Sequence, residues 1–216
     1  AVGEIVLVVI GILIALQINN WNTQKKQTTT ELEILKNILE NLNSDIQDME
    51  LNISIYNTAQ KSTTEVFKSL SNPLYNNDSL NFYFGNLKNG ALFLETTSAF
   101  ENLKTIGFEI VKNDSLKKSI MHIYGKQYQF IENLEGGHTE FLQTKLHPLI
   151  LDNIITNTPT NAKPVNIAEL RKNHRFKETL KYNNGWVSLL LEQYSSTIVE
   201  VELLIEQIEF ELEQRK

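Results

Sequence analysis

The hydrophobic pattern of the chain repeats every seven residues in two long stretches. Apolar side chains recur at alternating steps of three and four along residues 32–56, and again along residues 187–212. This period places the apolar side chains on one side of an α-helix. The expected core positions are Leu32, Leu35, Leu39, Leu42, Ile46, Met49 and Ile53 in the first helix, and Val187, Leu191, Ile198, Val201, Ile205 and Ile208 in the second.

Further residues on the same two helices widen the apolar stripes. Ile34 and Ile38 flank the first stripe, and Leu190 and Leu204 flank the second. A stripe this wide needs more than one neighbouring helix, which favours a bundle over a two-stranded coiled coil. We therefore expect residues 28–216 to form an all-α bundle of about four long helices, with the two heptad helices antiparallel in one chain.

Proline and glycine predict where the helices end or bend. The Asn72-Pro73 pair should end the first heptad helix, because proline lacks the backbone N–H that the helix needs. Irregular loops are expected over residues 72–93 and 148–165. Between these loops we expect a short helix ending at Gly107 and a longer one from about residue 114 to residue 147. The pattern also predicts a kink at residues 136–137 and a bend at residues 183–185.

The N-terminal residues have a different pattern. An uninterrupted apolar run over residues 5–16 would span roughly 18 Å as a helix, against ~30 Å for the hydrocarbon core of a membrane. Because the sequence starts at Ala1 rather than Met, we expect residues upstream to complete the span. The run lacks the small-x-small site of a cleaved signal peptide. We therefore predict a transmembrane helix over residues 1–22 and a juxtamembrane segment over residues 23–27.

Several residues of this N-terminal region are candidates for contacts with lipid or with another helix. Trp21, Lys25 and Lys26 follow the apolar run, where aromatic and basic side chains typically mark the membrane interface. Gly11 and Ala15 are four residues apart, and this small-xxx-small step lets two membrane helices approach closely. Glu4 is ionisable, so we expect it to snorkel or to hydrogen-bond between helices, with an ion pathway as the alternative.

Composition and charge narrow the classes of function. The chain is 41% hydrophobic and 21% charged, which is typical of a protein that buries a core. Its net charge is −6 and its basic residues are scattered, so nucleic acid is not an expected partner. The sequence contains no cysteine, which excludes disulfides, cysteine zinc sites and thiol catalysis.

The one candidate for metal chemistry is Glu135-Gly-Gly-His138. A di-metal bundle needs two Glu-x-x-His motifs and two further carboxylates, and the chain has one such motif, interrupted by two glycines. We therefore expect a solvated His138, no metal and no cofactor. The sequence also lacks a Gly-rich phosphate loop, a G-x-S-x-G elbow and an H-E-x-x-H motif, so no enzymatic activity is expected.

Two stretches carry a resemblance to a known family. GEIVLVVIGILIALQINNWN, residues 3–22, resembles the N-terminal signature of an uncharacterised family of single-pass membrane proteins common in Bacteroidota. SAFENLKTIGFEIVKNDSLKKSIMHIY, residues 98–124, resembles the second pattern of that family. The resemblance implies a basic stretch before the span, which would place the N-terminus in the cytoplasm and the helical domain in the periplasm. It implies no reaction and no catalytic residue.

The sequence therefore predicts a membrane-anchored helical scaffold or accessory subunit of the bacterial inner membrane, without catalysis. Its expected partners are the lipid bilayer and either further copies of itself or another envelope protein. The alternative is a periplasmic bundle that senses a small ligand and acts through a partner.

Overall fold

The computed structural model describes residues 2–215, with the side chains of residues 3 and 7–215. The described chain is mostly helical and all-α in character, as predicted, with one small β-hairpin. The α-helices are α1 (Val2–Ser71), α2 (Leu80–Asn86), α3 (Ser98–Ile106), α4 (Asp114–His122), α5 (Tyr128–Phe141), α6 (His147–Asn153), α7 (Ile167–Lys172) and α8 (His174–Glu213). The strands are β1 (Ile154–Thr158) and β2 (Asn161–Pro164), and shorter helical turns occur at Phe108–Ile110, Ile123–Gln127 and Leu142–Leu146.

The chain divides into two compact units. Unit 1 consists of Ala1–Asn43, Thr96–Met121 and Leu203–Lys216. Unit 2 consists of Ser44–Glu95 and His122–Glu202. Helices α1 and α8 therefore contribute residues to both units.

Helix α1 contains both the N-terminal apolar run and the first heptad stretch, and it ends at Ser71, before Pro73. Along the residues that the structure describes, no helix combines the length and the hydropathy needed to cross a membrane. The transmembrane helix predicted over residues 1–22 is therefore not confirmed. The physical reason is that polar Gln17, Asn19 and Asn20 follow an apolar run of limited length.

In unit 1, polar side chains and one glycine stabilise the ends of helices and the segments next to them. Asn113 Oδ1 accepts from the backbone N–H groups of Ser115 and Leu116 at 3.1 and 3.2 Å, which caps α4. Gly107 follows α3 with a φ of 104°, a conformation that favours glycine. Glu31, which is buried, accepts from Arg215 Nη1 at 2.5 Å and from the Lys112 backbone N–H at 2.7 Å.

Four of the seven core positions expected in α1 are displaced by one residue in the structure. Leu35, Leu42 and Met49 are buried, whereas Leu32, Leu39, Ile46 and Ile53 are only partly buried. The buried places on that side of the stripe belong to the residues one position earlier, namely Glu31, Ile38, Asp45 and Asn52. Three of these four residues are polar. A search for apolar residues therefore assigns the buried positions to the apolar residue that follows each of them.

Helix α8 shows the same displacement. Val187, Val201 and Ile208 are buried, whereas Leu191, Ile198 and Ile205 are partly exposed. The buried residues beside them are Leu190, Thr197 and Leu204. Within unit 2 the two helices run antiparallel, since Asn52 contacts Tyr194 and Gln60 contacts Ser188.

The segment 148–165, expected to be irregular, contains most of α6 and the hairpin. Pro148 lies in the first turn of α6, which directly follows the helical turn Leu142–Leu146. Strands β1 and β2 pair antiparallel with Ile155 opposite Lys163, and a register shift lies between Thr156 and Thr158. The hairpin packs closely on α2, because a Cβ at Gly85 would lie 2.5 Å from the Thr160 carbonyl carbon.

The two predicted interruptions of helices are also absent from the described backbone. Residues 136–137 lie inside α5 and residues 183–185 lie inside α8, both as regular helix. Gly137 has a packing role instead, since a Cβ there would lie 2.8 Å from the Trp186 ring. The helical backbone is instead irregular at two five-residue π-helical turns, Ile123–Gln127 and Leu142–Leu146.

Candidate functional site

Unit 2 contains an unusual number of polar side chains within its helical core. The buried ones on α1, α5 and α8 are Asp45, Asn52, Ser62, Thr63, Ser69, Glu135, His138, Asn183 and Thr197, accompanied by the buried rings of Tyr56, Tyr128 and Tyr194. A polar group buried without a hydrogen bond costs roughly 1–3 kcal/mol, so these residues require partners. Many of the partners lie in one extended segment, residues 91–94.

Four side chains hold the backbone of residues 91–94, and we call them the polar cradle: Asp48, Asn52 and Tyr56 of α1, and Glu135 of α5. Tyr56 Oη donates to the Ala91 carbonyl oxygen at 2.8 Å, Asn52 Nδ2 donates to the Leu92 carbonyl oxygen at 3.2 Å, the Phe93 N–H donates to Glu135 Oε1 at 2.9 Å, and the Leu94 N–H donates to Asp48 Oδ2 at 3.0 Å. Because every bond is to the backbone, the cradle fixes the path of the segment largely independently of its side chains.

The side chains of the segment alternate in direction, as expected for an extended backbone. The Phe93 ring packs edge-on against Tyr128, with 4.8 Å between ring centroids. Leu92 and Leu94 are 58% and 73% exposed. One aromatic anchor therefore faces the helices, and two leucines face away from them.

Two carboxylates of unit 2 receive tyrosine hydroxyls. Tyr194 Oη donates to Glu135 Oε1 and also accepts from Asn52 Nδ2 at 3.3 Å. Tyr128 Oη donates to Asp45 Oδ2 at 2.9 Å. These bonds supply part of the stabilisation that an ionised carboxylate loses when it leaves water.

Burial also sets the protonation of these groups. It raises the pKa of Glu135 above its usual range and raises the pKa of Tyr56 to about 12. The pKa of Tyr194 is raised as well, first by burial and then by its hydrogen bond to Glu135. Burial lowers the pKa of His138, which favours the neutral imidazole at pH 7. The tyrosines therefore remain donors, an arrangement suited to holding a backbone in place.

His138 is buried rather than solvated, so that expectation was wrong. Its Nε2 lies 3.0 Å from Asn183 Oδ1, and its ring centroid lies 5.8 Å from that of Tyr56. The Glu135-Gly-Gly-His138 motif lies in regular helix despite its two glycines, so Glu135 and His138 share one buried face of α5. Among the described side chains, no three His, Asp or Glu residues lie close enough together to hold a metal ion.

The candidate residues of the N-terminal region lie on an exposed part of α1. Gly11 and Ala15 are exposed, and a Cβ at Gly11 would meet no atom within 4 Å. Trp21 is 62% exposed, with Lys25 Nζ 5.6 Å from its ring centroid. Lys26 is exposed. Glu4 falls outside the described side chains.

Sequence reasoning placed Tyr56 on the buried side of its helix but missed the arrangement of the polar cradle around residues 91–94, because acids such as Asp48 resemble the charges of a solvated helix face. One signal for part of it exists in the heptad phase. Asp45 and Asn52 are seven residues apart and continue the series of Glu31 and Ile38, all four of which are buried. A polar residue that keeps step with a buried series is a candidate for a buried hydrogen bond.

The comparisons with known proteins identify a family. No curated protein and no solved structure matches the chain. The model of a family of unknown function, DUF6090, matches residues 4–142, which is well over half of the sequence. This match confirms an uncharacterised family, while the bacterial group named by the resemblance stays a prediction. The chain belongs to the DUF6090 family.

Proposed function

We propose that this protein is a membrane-anchored helical scaffold that assembles with further copies of itself at the bacterial inner membrane. The observation that carries the proposal is the apolar surface of α1 between residues 7 and 18. Nine large apolar side chains there are each 47–70% exposed: Leu7, Val8, Val9, Ile10, Ile12, Leu13, Ile14, Leu16 and Ile18. Because these residues are nearly consecutive, they cover every side of the helix.

Water is a poor solvent for such a surface. A helix that is apolar all round is typically buried in a protein core or in a membrane. Trp21 and Lys25 lie directly after the apolar surface, where the polar headgroups of a bilayer would meet them. Insertion of residues 7–18 into lipid would therefore remove the exposed apolar area from water and leave the polar remainder of α1 outside.

Membrane extraction of the full chain tests the anchor. We expect the protein to stay in the membrane pellet after an alkaline carbonate wash, since such a wash removes proteins held by charge alone. The double variant Leu13→Lys/Ile14→Lys should move to the supernatant, because each lysine costs roughly 2.5–3.5 kcal/mol within the hydrocarbon region.

The matched control is Leu74→Lys/Leu151→Lys, which alters two apolar residues of unit 2 that are 92% and 81% exposed. It should stay in the pellet as the parent protein does. Release of the parent protein by carbonate would contradict the anchor.

Self-assembly is proposed to use Gly11 and Ala15, whose small side chains permit close approach of two helices. Detergent-solubilised protein should then give an oligomer in mass photometry. Gly11→Leu should shift the population toward monomer, whereas Val9→Leu, on a different side of the helix, should not. A parent protein that is monomeric at every concentration would rule out this mode of assembly.

The proposed orientation puts the helical bundle, residues 28–216, in the periplasm. A periplasm-specific reporter fused after residue 216 should be active, and a cytoplasm-specific one should be silent. The opposite pattern would reverse the orientation. We propose no catalytic role, since the residues of the polar cradle form hydrogen bonds with the backbone of residues 91–94.

A further inference from the structure

A groove on the surface of unit 2 lies between α1 and α8, away from the polar cradle's contacts with residues 91–94. Its volume is about 470 Å³, and the residues that matter for its chemistry are Thr63, Phe67 and Lys68 of α1 and Lys181 and Asn184 of α8. We call it the α1–α8 groove. Sites for small organic ligands typically have volumes of roughly 300–1,000 Å³, mostly apolar walls and a few polar groups.

The groove is bordered by polar atoms that lack partners. Thr63 Oγ1 and Asn184 Oδ1 are buried and have no hydrogen-bond partner among the described residues, and Thr63 is only 4% exposed. Three further buried polar atoms close to them in sequence also lack a hydrogen-bond partner among the described residues: Ser62 Oγ, Asn183 Nδ2 and Trp186 Nε1. Buried polar atoms in native proteins nearly always have a hydrogen-bond partner. The part of unit 2 beside the groove therefore has polar atoms that could bind a ligand.

The charged residues of the groove are both basic. Lys181 Nζ lies 5.9 Å from the ring centroid of Phe67, and Lys68, the residue after Phe67 on α1, also lines the groove. Each lysine contacts one glutamate that does not line the groove: Lys68 Nζ lies 2.6 Å from Glu65 and Lys181 Nζ lies 2.7 Å from Glu178. An ammonium group has three N–H donors, so each lysine retains donors for a further acceptor.

We propose that the α1–α8 groove binds a small aromatic carboxylate. The ring of the ligand packs on Phe67, and its carboxylate accepts from Lys181 and Lys68. Thr63, which lines the groove and whose hydroxyl has no other partner in the part of the chain that the structure describes, adds a donor. The site is separate from the membrane anchor and does not depend on it.

Calorimetric titration of the full chain in detergent with 1-naphthoate tests the site. We expect saturable binding with a Kd below about 1 mM. The uncharged analogue 1-naphthamide should bind at least roughly tenfold more weakly, because it loses the charge-assisted hydrogen bonds. Titration of each compound into the same detergent without protein gives the contribution of partition into detergent, which is subtracted.

Three variants locate the binding. Lys181→Met and Thr63→Val should each weaken 1-naphthoate binding at least about fivefold, since each removes one donor while keeping the shape of the side chain. Lys172→Met is the control, because Lys172 is also an exposed lysine paired with a glutamate three residues away, and it does not line the groove. Lys68→Met provides a second test if either groove variant fails to fold, as judged by circular dichroism.

Each of three results would overturn the proposal. The first is absence of saturable 1-naphthoate binding, and the second is equal affinity for 1-naphthoate and 1-naphthamide. The third is an affinity for 1-naphthoate that is the same in the groove variants as in the control Lys172→Met.

Discussion

Tyr194 donates its phenolic hydroxyl to the carboxylate of Glu135 in the core of unit 2. The same carboxylate oxygen accepts from the backbone N–H of Phe93 at 2.9 Å. One buried acid therefore joins α5, α8 and the extended segment 91–94. The stability of unit 2 should therefore depend more on the two hydrogen bonds that this oxygen accepts than on its negative charge.

Glu135→Gln should be nearly neutral or slightly stabilising, within about 1 kcal/mol, because the amide oxygen still accepts and no charge is buried. Tyr194→Phe should lower the free energy of unfolding by about 1–3 kcal/mol, because it leaves a buried carboxylate short of a donor. Urea denaturation of the two variants measures both values. A larger loss from Glu135→Gln than from Tyr194→Phe would contradict this interpretation.

The pH dependence of stability has a definite sign. Burial raises the pKa of Glu135 in the folded protein above its ordinary value of 4.5, so the folded state holds this proton more tightly than the unfolded state. Stability from this group is therefore fully present below pH 4.5 and is lost as the pH rises through the folded pKa. The difference in unfolding free energy, parent minus Glu135→Gln, should fall as the pH is raised across that window. A difference that rises with pH would show that the carboxylate is stabilised in the fold rather than penalised.

Two adjacent glycines of α5 should respond oppositely to alanine. A Cβ at Gly136 would meet no atom within 4 Å, so Gly136→Ala should stabilise the protein by about 0.5–1 kcal/mol through helix propensity. A Cβ at Gly137 would lie 2.8 Å from the Trp186 ring, so Gly137→Ala should destabilise it by about 1–3 kcal/mol. Thermal melts and Trp186 fluorescence follow both effects. Equal effects of the two substitutions would refute the close contact between α5 and α8.

The displacement of core positions in α1 is testable with two leucines of unit 1. Leu42 is fully buried and Leu39 is only partly buried. Leu42→Ala should cost about 2–5 kcal/mol, because it creates a cavity, and Leu39→Ala should cost about 1 kcal/mol. Chemical denaturation of the two variants should separate them clearly. The reverse order would restore the stripe that the apolar pattern predicts.

The sequence allowed the helical class and the end of α1 at Ser71 to be predicted, because heptad periodicity and the Asn72-Pro73 pair act locally. It did not allow the phase of the core to be predicted fully. Asp45 and Asn52 occupy buried positions in α1, and a pattern of apolar residues assigns their places to Ile46 and Ile53. The stability of such polar positions depends on partners distant in sequence, such as Tyr128 and Leu92.

The candidate site was harder to predict for the same reason. Residues 91–93 were expected to be part of a loop. The position of the segment 91–94 depends on a hydrogen bond that Tyr56 donates to its backbone and on one that Glu135 accepts from it, and these side chains lie 35 and 42 residues from their partners. His138 was expected to be solvated because glycines precede it. Those glycines instead remain helical, and Gly137 makes room for the Trp186 ring.

The central claim, insertion of the apolar end of α1 into lipid, can be tested by fluorescence depth measurement. The chain has no cysteine, so a fluorophore can be attached to single Ile12→Cys, Leu13→Cys and Asn37→Cys variants reconstituted into phospholipid vesicles. Ile12 and Leu13 lie on different sides of the helix, and Asn37 is an exposed polar position further along α1. If residues 12 and 13 lie in lipid, phospholipids with a spin label on the acyl chain will quench the fluorophore at residues 12 and 13 but not at residue 37. Quenching at residues 12 and 13 as weak as that at residue 37 would contradict insertion into lipid.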